Sequence, residues 1–267
     1  MELIADYHTH CNFSGDSEEP MENMVKQAVA LGLQELVLTD HVDYDYADPV
    51  FEMIDYDEYT EKFFALQAQY RSRLKLLLGV ELGYQPHIVD KMAALTRKYP
   101  FDFIIMSVHM ADRQDFYTGD FFVGKDQQQA YLRYLETVLQ SVRDYEGYDI
   151  YGHIDFIIRY GPYKQKKMHY DDYHDILDAI LQTIICSGKG LEINTSGFRY
   201  GLGQTHPTLE FLQRYRRLGG EIVTLGSDAH CAEDICSHFP EAYELLQAAG
   251  FKYLTFYEER KPDFRRL

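Results

Sequence analysis

Positive charge is scarce in this chain: 26 lysines and arginines stand against 43 aspartates and glutamates, a formal net charge of −17 over 267 residues. That balance repels polyanions and argues against nucleic acid or an anionic membrane as the main partner. Long apolar runs are missing too. No stretch reaches the roughly 18 residues a transmembrane helix needs. The first strand pattern begins at Glu2, which leaves no room for a signal peptide, so a cytoplasmic location is expected. Cysteine is sparse and unpatterned: Cys11, Cys186, Cys231 and Cys236 form neither a Cys-x-x-Cys pair nor a dense framework, and free thiols are expected. Cys11 and Cys231 each follow a histidine of interest by one residue, and an extended chain turns such neighbours away from each other, so they are set aside as ligands. With no composition break or low-complexity linker, residues 1–267 read as one domain.

What is present is apolar mass and imidazole. The chain is 46% hydrophobic and 15% aromatic, enough to bury a substantial core, and it carries eleven histidines. His8-Thr9-His10 follows a strand pattern at residues 2–7. Alternate side chains of an extended chain share a face, so both imidazoles project into one space and can hold a transition metal. A lone His-x-His is more often an ordinary pair of histidines. The same arrangement, an apolar strand followed by His, Asp or Glu, recurs along this chain.

Strand patterns at residues 33–39, 75–81, 101–108 and 148–152 deliver Asp40-His41, Glu81, His109 and His153. Those at 190–193 and 222–225 deliver Asn194-Thr195-Ser196-Gly197 and Asp228-Ala229-His230. Between them, helical spacing predicts helices at 20–31, 57–72, 87–99, 126–144, a stretch marked by Tyr173 to Ile184, one from Pro207 to Gly219-Gly220, and 239–249, with a short strand at 253–256. Residues 42–56 and 110–125 read as long irregular loops, both acidic, that could meet a cationic group. Lys164, Lys166 and Lys167 read as a solvated face, and His87, His169, His174, His206 and His238 as structural or exposed.

Strands alternating with helices at this rhythm imply parallel α/β architecture. In a closed barrel the reactive groups sit at the C-terminal strand ends, where every candidate here falls. A doubly wound open sheet fits the pattern as well, but would not easily converge ligands from so many strands. The assembled set is His8, His10, Asp16, His41, Glu81, His109, His153, Asp228 and His230. It exceeds what one tetrahedral site uses, so more than one ion is implied, with Glu81 the natural bridge. Zn, Mn and Fe accept mixed nitrogen and oxygen donors; Mg alone does not suit so much imidazole.

This ordered set, from Asp6 to His230, resembles the PHP (polymerase and histidinol phosphatase) superfamily. The resemblance implies a distorted (β/α)7 barrel with its active site at the C-terminal ends of the strands and three divalent metal ions. One ion would take His8, His10, Glu81 and Asp228, a second Glu81, His109 and His153, and a third Asp16, His41 and His230. Many members have His where this chain has Asp16. Residues 152–159 and 192–199 resemble the histidinol-phosphate phosphatases of histidine biosynthesis. The implied reaction is hydrolysis of L-histidinol phosphate, a small-molecule phosphate ester, by a metal-bridging hydroxide, since metal binding lowers the pKa of water from about 15.7 toward ~7. Glu81, Asp228 and His230 are then the expected catalytic groups. Arg159 and Arg199, just beyond strand ends, are candidates to clamp phosphate, with Asn194 and Ser196 as further substrate contacts. Three competing readings remain: a phosphoesterase of the same superfamily acting on a nucleotide, a nucleic-acid end or a phosphotyrosine; an amidohydrolase-like hydrolase, which would commonly offer a modified lysine where Glu81 stands; and a metal-binding protein without catalysis. Oligomeric state is not legible.

Overall fold

The computed structural model describes residues 4–46, 48–51 and 54–267, so Glu2, where the first strand pattern begins, lies outside the described residues. In chain order the elements are β1 (Ala5–Asp6), α1 (Met21–Leu31), β2 (Glu35–Leu38), β3 (His41–Val42), α2 (Tyr56–Tyr70), β4 (Lys75–Gly83), α3 (Val89–Lys98), β5 (Phe103–Ser107), β6 (Met110–Ala111) and β7 (Gln114–Asp115). Then follow α4 (Gln127–Asp144), β8 (Ile150–Tyr151), α5 (His174–Cys186), β9 (Gly190–Asn194), α6 (Ser196–Arg199), α7 (Leu209–Arg217), β10 (Val223–Gly226), α8 (Phe239–Ala249), β11 (Tyr253–Glu258) and β12 (Lys261–Arg266).

Seven parallel strands run side by side in the order β1-β2-β4-β5-β8-β9-β10, with β3 prolonging the β2 edge along β4. β4 and β5 are buried almost throughout, as parallel strands covered on both faces must be. The first and last strands then close on each other. Tyr7 N–H donates to Leu225 O at 3.0 Å, Asp228 N–H to His8 O at 2.8 Å and His10 N–H to Ala229 O at 2.8 Å. The result is a distorted (β/α)7 barrel with one continuous core of buried apolar side chains. Helix ends follow local chemistry. Asp126 and Gln129 form a capping box at the start of α4, and Gly32, at φ 76°, ends α1 in the left-handed conformation glycine adopts freely.

Three features depart from the expected pattern. Residues 110–125 contain the β6–β7 hairpin rather than an irregular loop throughout, with Asp112 and Arg113 both at positive φ in its two-residue turn. Ser196–Arg199 forms a short helix. The strand expected at 253–256 is longer and turns back as the antiparallel β11–β12 hairpin, outside the barrel sheet. Its turn, Glu259-Arg260, again has two residues at positive φ, a geometry usually signalled by Asn-Gly, which this sequence lacks.

This last hairpin covers the N-terminal end of the barrel, opposite the strand ends that carry the candidate ligands. Tyr257 N–H donates to Tyr7 Oη at 2.8 Å, and that hydroxyl donates to Glu35 at the start of β2. Arg260 pairs with Asp149 just before β8, and its N–H reaches Asp102 O just before β5. Phe103 fills the space between, with ring centroids 5.1 Å from both Tyr7 and Tyr257. Phe103→Ala should therefore cost ~3–5 kcal/mol of folding stability by opening a cavity here. Denaturant unfolding checks this, and a loss under ~1 kcal/mol would show that the floor does not carry the barrel.

Candidate metal centre

Apart from Asp16, which sits in the loop after His10, each candidate ligand lies at or just past the C-terminal end of a barrel strand, and closure of the barrel turns those ends toward one another. Two carboxylates organise the result. Glu81, fully buried near the end of β4, faces opposite groups with its two oxygens. Its Oε1 lies 2.9 Å from His153 Nε2 and 3.3 Å from His109 Nε2. Its Oε2 lies 3.2 Å from His8 Nε2, 3.7 Å from His10 Nε2 and 2.9 Å from His41 Nδ1. Asp228 Oδ1 lies 3.4 Å from His10 Nε2 and 3.8 Å from His8 Nε2. Farther out, Asp16 Oδ2 is 3.1 Å from His230 Nε2 and 3.6 Å from His41 Nε2.

These spacings fit a coordination shell. Donors about 2.1 Å from a tetrahedral cation stand about 3.4 Å from each other. His8, His10 and Asp228, then His8, Glu81 and His153, then His41, Glu81 and His109, and finally His10, His41 and His230 each bring their donor atoms close enough to share an ion. Several of those atoms, including His8 Nε2, His10 Nε2, Glu81 Oε2 and His230 Nε2, are buried without a hydrogen-bond partner among the described residues. Buried polar atoms are rarely left so. The donor set thus fits divalent cations. His41 offers Nδ1 toward Glu81 and Nε2 toward Asp16, so one imidazole touches two of the groupings.

Electrostatics follow from this crowding. Burial opposes ionisation of Glu81 and Asp228, yet His8 foremost among the neighbouring imidazoles holds both carboxyls well below their usual range. Burial likewise opposes charge on His8 and His109, but Glu192 and Glu81 drive His8 upward, and Asp43 and Glu81 raise His109 to about 9. His10 goes the other way, pushed well down by burial and by His230 and His41.

A second set of residues, absent from the sequence reading as site groups, sets the tautomers. His8 Nδ1 meets Glu192 Oε1 at 2.5 Å, leaving Nε2 free to face the cluster. Gly226 makes room for this pair, since a Cβ there would fall 2.2 Å from Glu192 Oε1. His109 Nδ1 is held by Asp43 at 2.8 Å, and a Cβ at Gly83 would strike that carboxylate. Ser14 Oγ sits 3.0 Å from His10 Nδ1 and donates to Asp40, whose other oxygen takes the Cys11 thiol. Cys231 turns to Asp234, so both thiols point away from the cluster. The signal for Glu192 was present in period two: it lies two residues before Asn194 on β9 and shares its face.

Asp16, His41, His109, His153, Asp228 and His230 of the cluster line a cavity of about 740 Å³. Arg159 lines it, donating to Asp228 Oδ2 at 3.2 Å and stacking its guanidinium over Phe156 and Tyr200. Arg199 does not line it. Its guanidinium donates to Ser227 O and Asp228 O and pairs with Asp234, bracing the turn at Asp228, which adopts φ 56°. Asn194 and Ser196 are fully buried and connect Glu192, Asp228 and Arg159 instead of reaching the cavity. His206, placed among the structural or exposed histidines by sequence, is fully buried against Asp155.

Two outcomes follow. Glu192→Gln keeps the volume but lets an amide N–H oppose His8 Nδ1, and should weaken cation affinity ~10- to 100-fold, as read by chelator competition. Unchanged affinity would contradict the orienting role. In the protein stripped of cations, a His109 pKa raised to about 9 stabilises the fold below the ordinary histidine pKa and ceases to do so as pH rises through about 9. A cation must displace that proton, so binding tightens across the same window. Titration calorimetry at neutral pH in two buffers of different ionisation enthalpy should give different heats, and equal heats would refute proton release.

Comparison with known proteins agrees with this geometry. A PHP domain family model matches residues 6–196. The histidinol-phosphatase of Lactococcus lactis subsp. lactis is 33% identical over 97% of this chain and 96% of its own length. A probable histidinol-phosphatase of Clostridium acetobutylicum is 30% identical over 97% of this chain and 98% of its own. The crystal structure of the Lactococcus histidinol phosphate phosphatase, complexed with zinc, L-histidinol and phosphate, superposes with a TM-score of 0.91, covering 97% of this chain and 98% of that one. Matched through most of its length by the family model and end to end by these relatives, the chain belongs to the PHP domain family.

Proposed function

We propose that this protein is a metal-dependent phosphomonoesterase that hydrolyses L-histidinol phosphate to L-histidinol and inorganic phosphate. The observation that carries the reading is the split of Glu81 between two sets of imidazoles beside a cavity lined by Arg159. The likeness to the Lactococcus enzyme supports the choice of ester.

In this reading His8, His10, Glu81 and Asp228 hold one ion, Glu81, His109 and His153 a second, and Asp16, His41 and His230 a third, zinc, manganese and iron all suiting the donors. Divalent cations bound there would supply hydroxide near neutral pH and offset phosphoryl charge. Glu81 and Asp228, kept ionised by their neighbours, hold the cluster together, and His230 extends it to the cavity wall. Arg159 presents a guanidinium to the phosphoryl oxygens from the cavity side of Asp228. Arg199 donates to the Asp228 carbonyl while Arg159 takes its carboxylate, so the two arginines hold one residue. The Arg159 guanidinium stacks over both Phe156 and Tyr200, contacts that limit its motion. Asn194 and Ser196 are proposed to serve the substrate through Arg159 and Asp228.

The test is phosphate release from L-histidinol phosphate beside sugar, nucleotide and aryl phosphates, with elemental analysis of the same preparation. Preference for histidinol phosphate, lost on chelation, is expected; preference for a nucleotide would remove the assignment. Arg159→Ala should raise KM for the ester ~10- to 100-fold, the loss of a hydrogen bond to a charged group, with cation content unchanged.

A further inference from the structure

Resting on that reading, one residue of the cavity has chemistry that the phosphate and its ions leave unexplained. Asp115 is 7% exposed and lines the cavity, yet none of its contacts supplies a positive charge among the described residues. Its Oδ1 accepts the Tyr117 N–H at 2.6 Å, an Asx turn that fixes the side chain's direction. The Tyr46 hydroxyl lies beside it, its pKa raised by burial and by Asp115. Among the described residues no lysine, arginine or histidine is paired with it. The other acidic residues of the wall differ. Asp43 is taken by His109 and His41, Asp16 by His41 and His230, and Asp228 by Arg159, while Asp48 is exposed and caps the Val50 N–H.

A buried carboxylate without a cationic partner is costly, and in a cavity it is a receptor awaiting one. Its place is set by the β6–β7 hairpin, whose register puts Asp115 opposite Met110, the residue after the candidate ligand His109. The carboxylate therefore stands beside the cluster, on the wall shared with Tyr46, Phe51, Tyr117 and Tyr160. In L-histidinol phosphate the ammonium is two carbons from the ester oxygen, so phosphate at the cations would bring it toward a carboxylate beside the cluster and leave the aromatic faces to the imidazole.

We propose that Asp115 is the specificity-determining anchor for the ammonium group of the substrate, so that the cavity selects phosphate esters bearing an amine over neutral or anionic esters of similar size. A site built around a polar partner discriminates against analogues that lack it, because its own buried group is then left unpaired.

The experiment compares wild-type protein with Asp115→Asn and Asp115→Glu on two matched pairs of esters. One pair is L-histidinol phosphate and its analogue lacking the α-amine; the other is 2-amino-3-phenylpropyl phosphate and 3-phenylpropyl phosphate, an aryl pair whose amine likewise sits two carbons from the ester oxygen. Asparagine keeps the oxygen that accepts the Tyr117 N–H, so the loop is retained. Wild type should favour the amine-bearing member of each pair by kcat/KM. Asp115→Asn should lower that preference at least about tenfold, chiefly through KM of the amine-bearing ester. Its kinetics on the amine-free esters and its cation content should match wild type, and Asp115→Glu should restore part of the preference. Equal loss on both members of a pair, or an unchanged preference, would overturn the proposal. If wild type hydrolyses the aryl pair but neither histidinol-type ester, the assigned substrate is wrong, and the aryl pair alone decides on Asp115 by the same criterion.

Discussion

The barrel closes through hydrogen bonds between its first and last strands, and those bonds lie in the segments that carry the candidate ligands. Asp228 N–H donates to His8 O, and His10 N–H to Ala229 O, so the seam of the fold and one wall of the metal centre are the same few residues. Asp6 reinforces the seam from below, accepting the backbone N–H groups of Ser227 and Cys236 with separate oxygens. A chain that failed to close there would lose the approach of His8 and His10 to Asp228, and with it the grouping that uses all three. Fold and site are thus one constraint, and the glycines at 226 and 83 mark where side chains had to be omitted for it to be met.

Much of this was legible in the sequence because two simple periods govern it. Period two places His8 beside His10, and the alternation of strand and helix sends each following ligand to the same barrel end. What escaped the reading depends on contacts between distant segments. Glu192 orients His8 across 184 residues and Asp43 orients His109 across 66, and neither spacing follows from a local pattern. Arg199 lay in the expected place just beyond a strand end, but which carbonyls its guanidinium meets depends on the turn at Asp228. The β11–β12 hairpin was read only as a short strand because β12, Lys-Pro-Asp-Phe-Arg-Arg, is exposed and has no apolar alternation to announce it.

The charge distribution has a consistent logic. A chain with net charge −17 is set against an anionic ester at long range, so attraction must be local. Cations held by imidazole and carboxylate would supply it at the cavity wall that Arg159 also lines. The same acidity suits the neighbouring wall, where Asp115 faces the cavity. One cavity then offers both signs of charge, within partly aromatic walls, to a molecule that carries both.

The central claim is that Glu81 lies between two cations in a cluster at the mouth of the barrel. Anomalous X-ray scattering from crystals of the purified protein, measured on either side of the zinc, manganese and iron absorption edges, tests it most directly. The account predicts separate peaks within about 2.0–2.3 Å of donor atoms, one on each side of Glu81, with His8 and Asp228 beside the first and His109 and His153 beside the second. Crystals of active protein with no peak among these residues, or with a single ion that leaves one Glu81 oxygen uncoordinated, would contradict it.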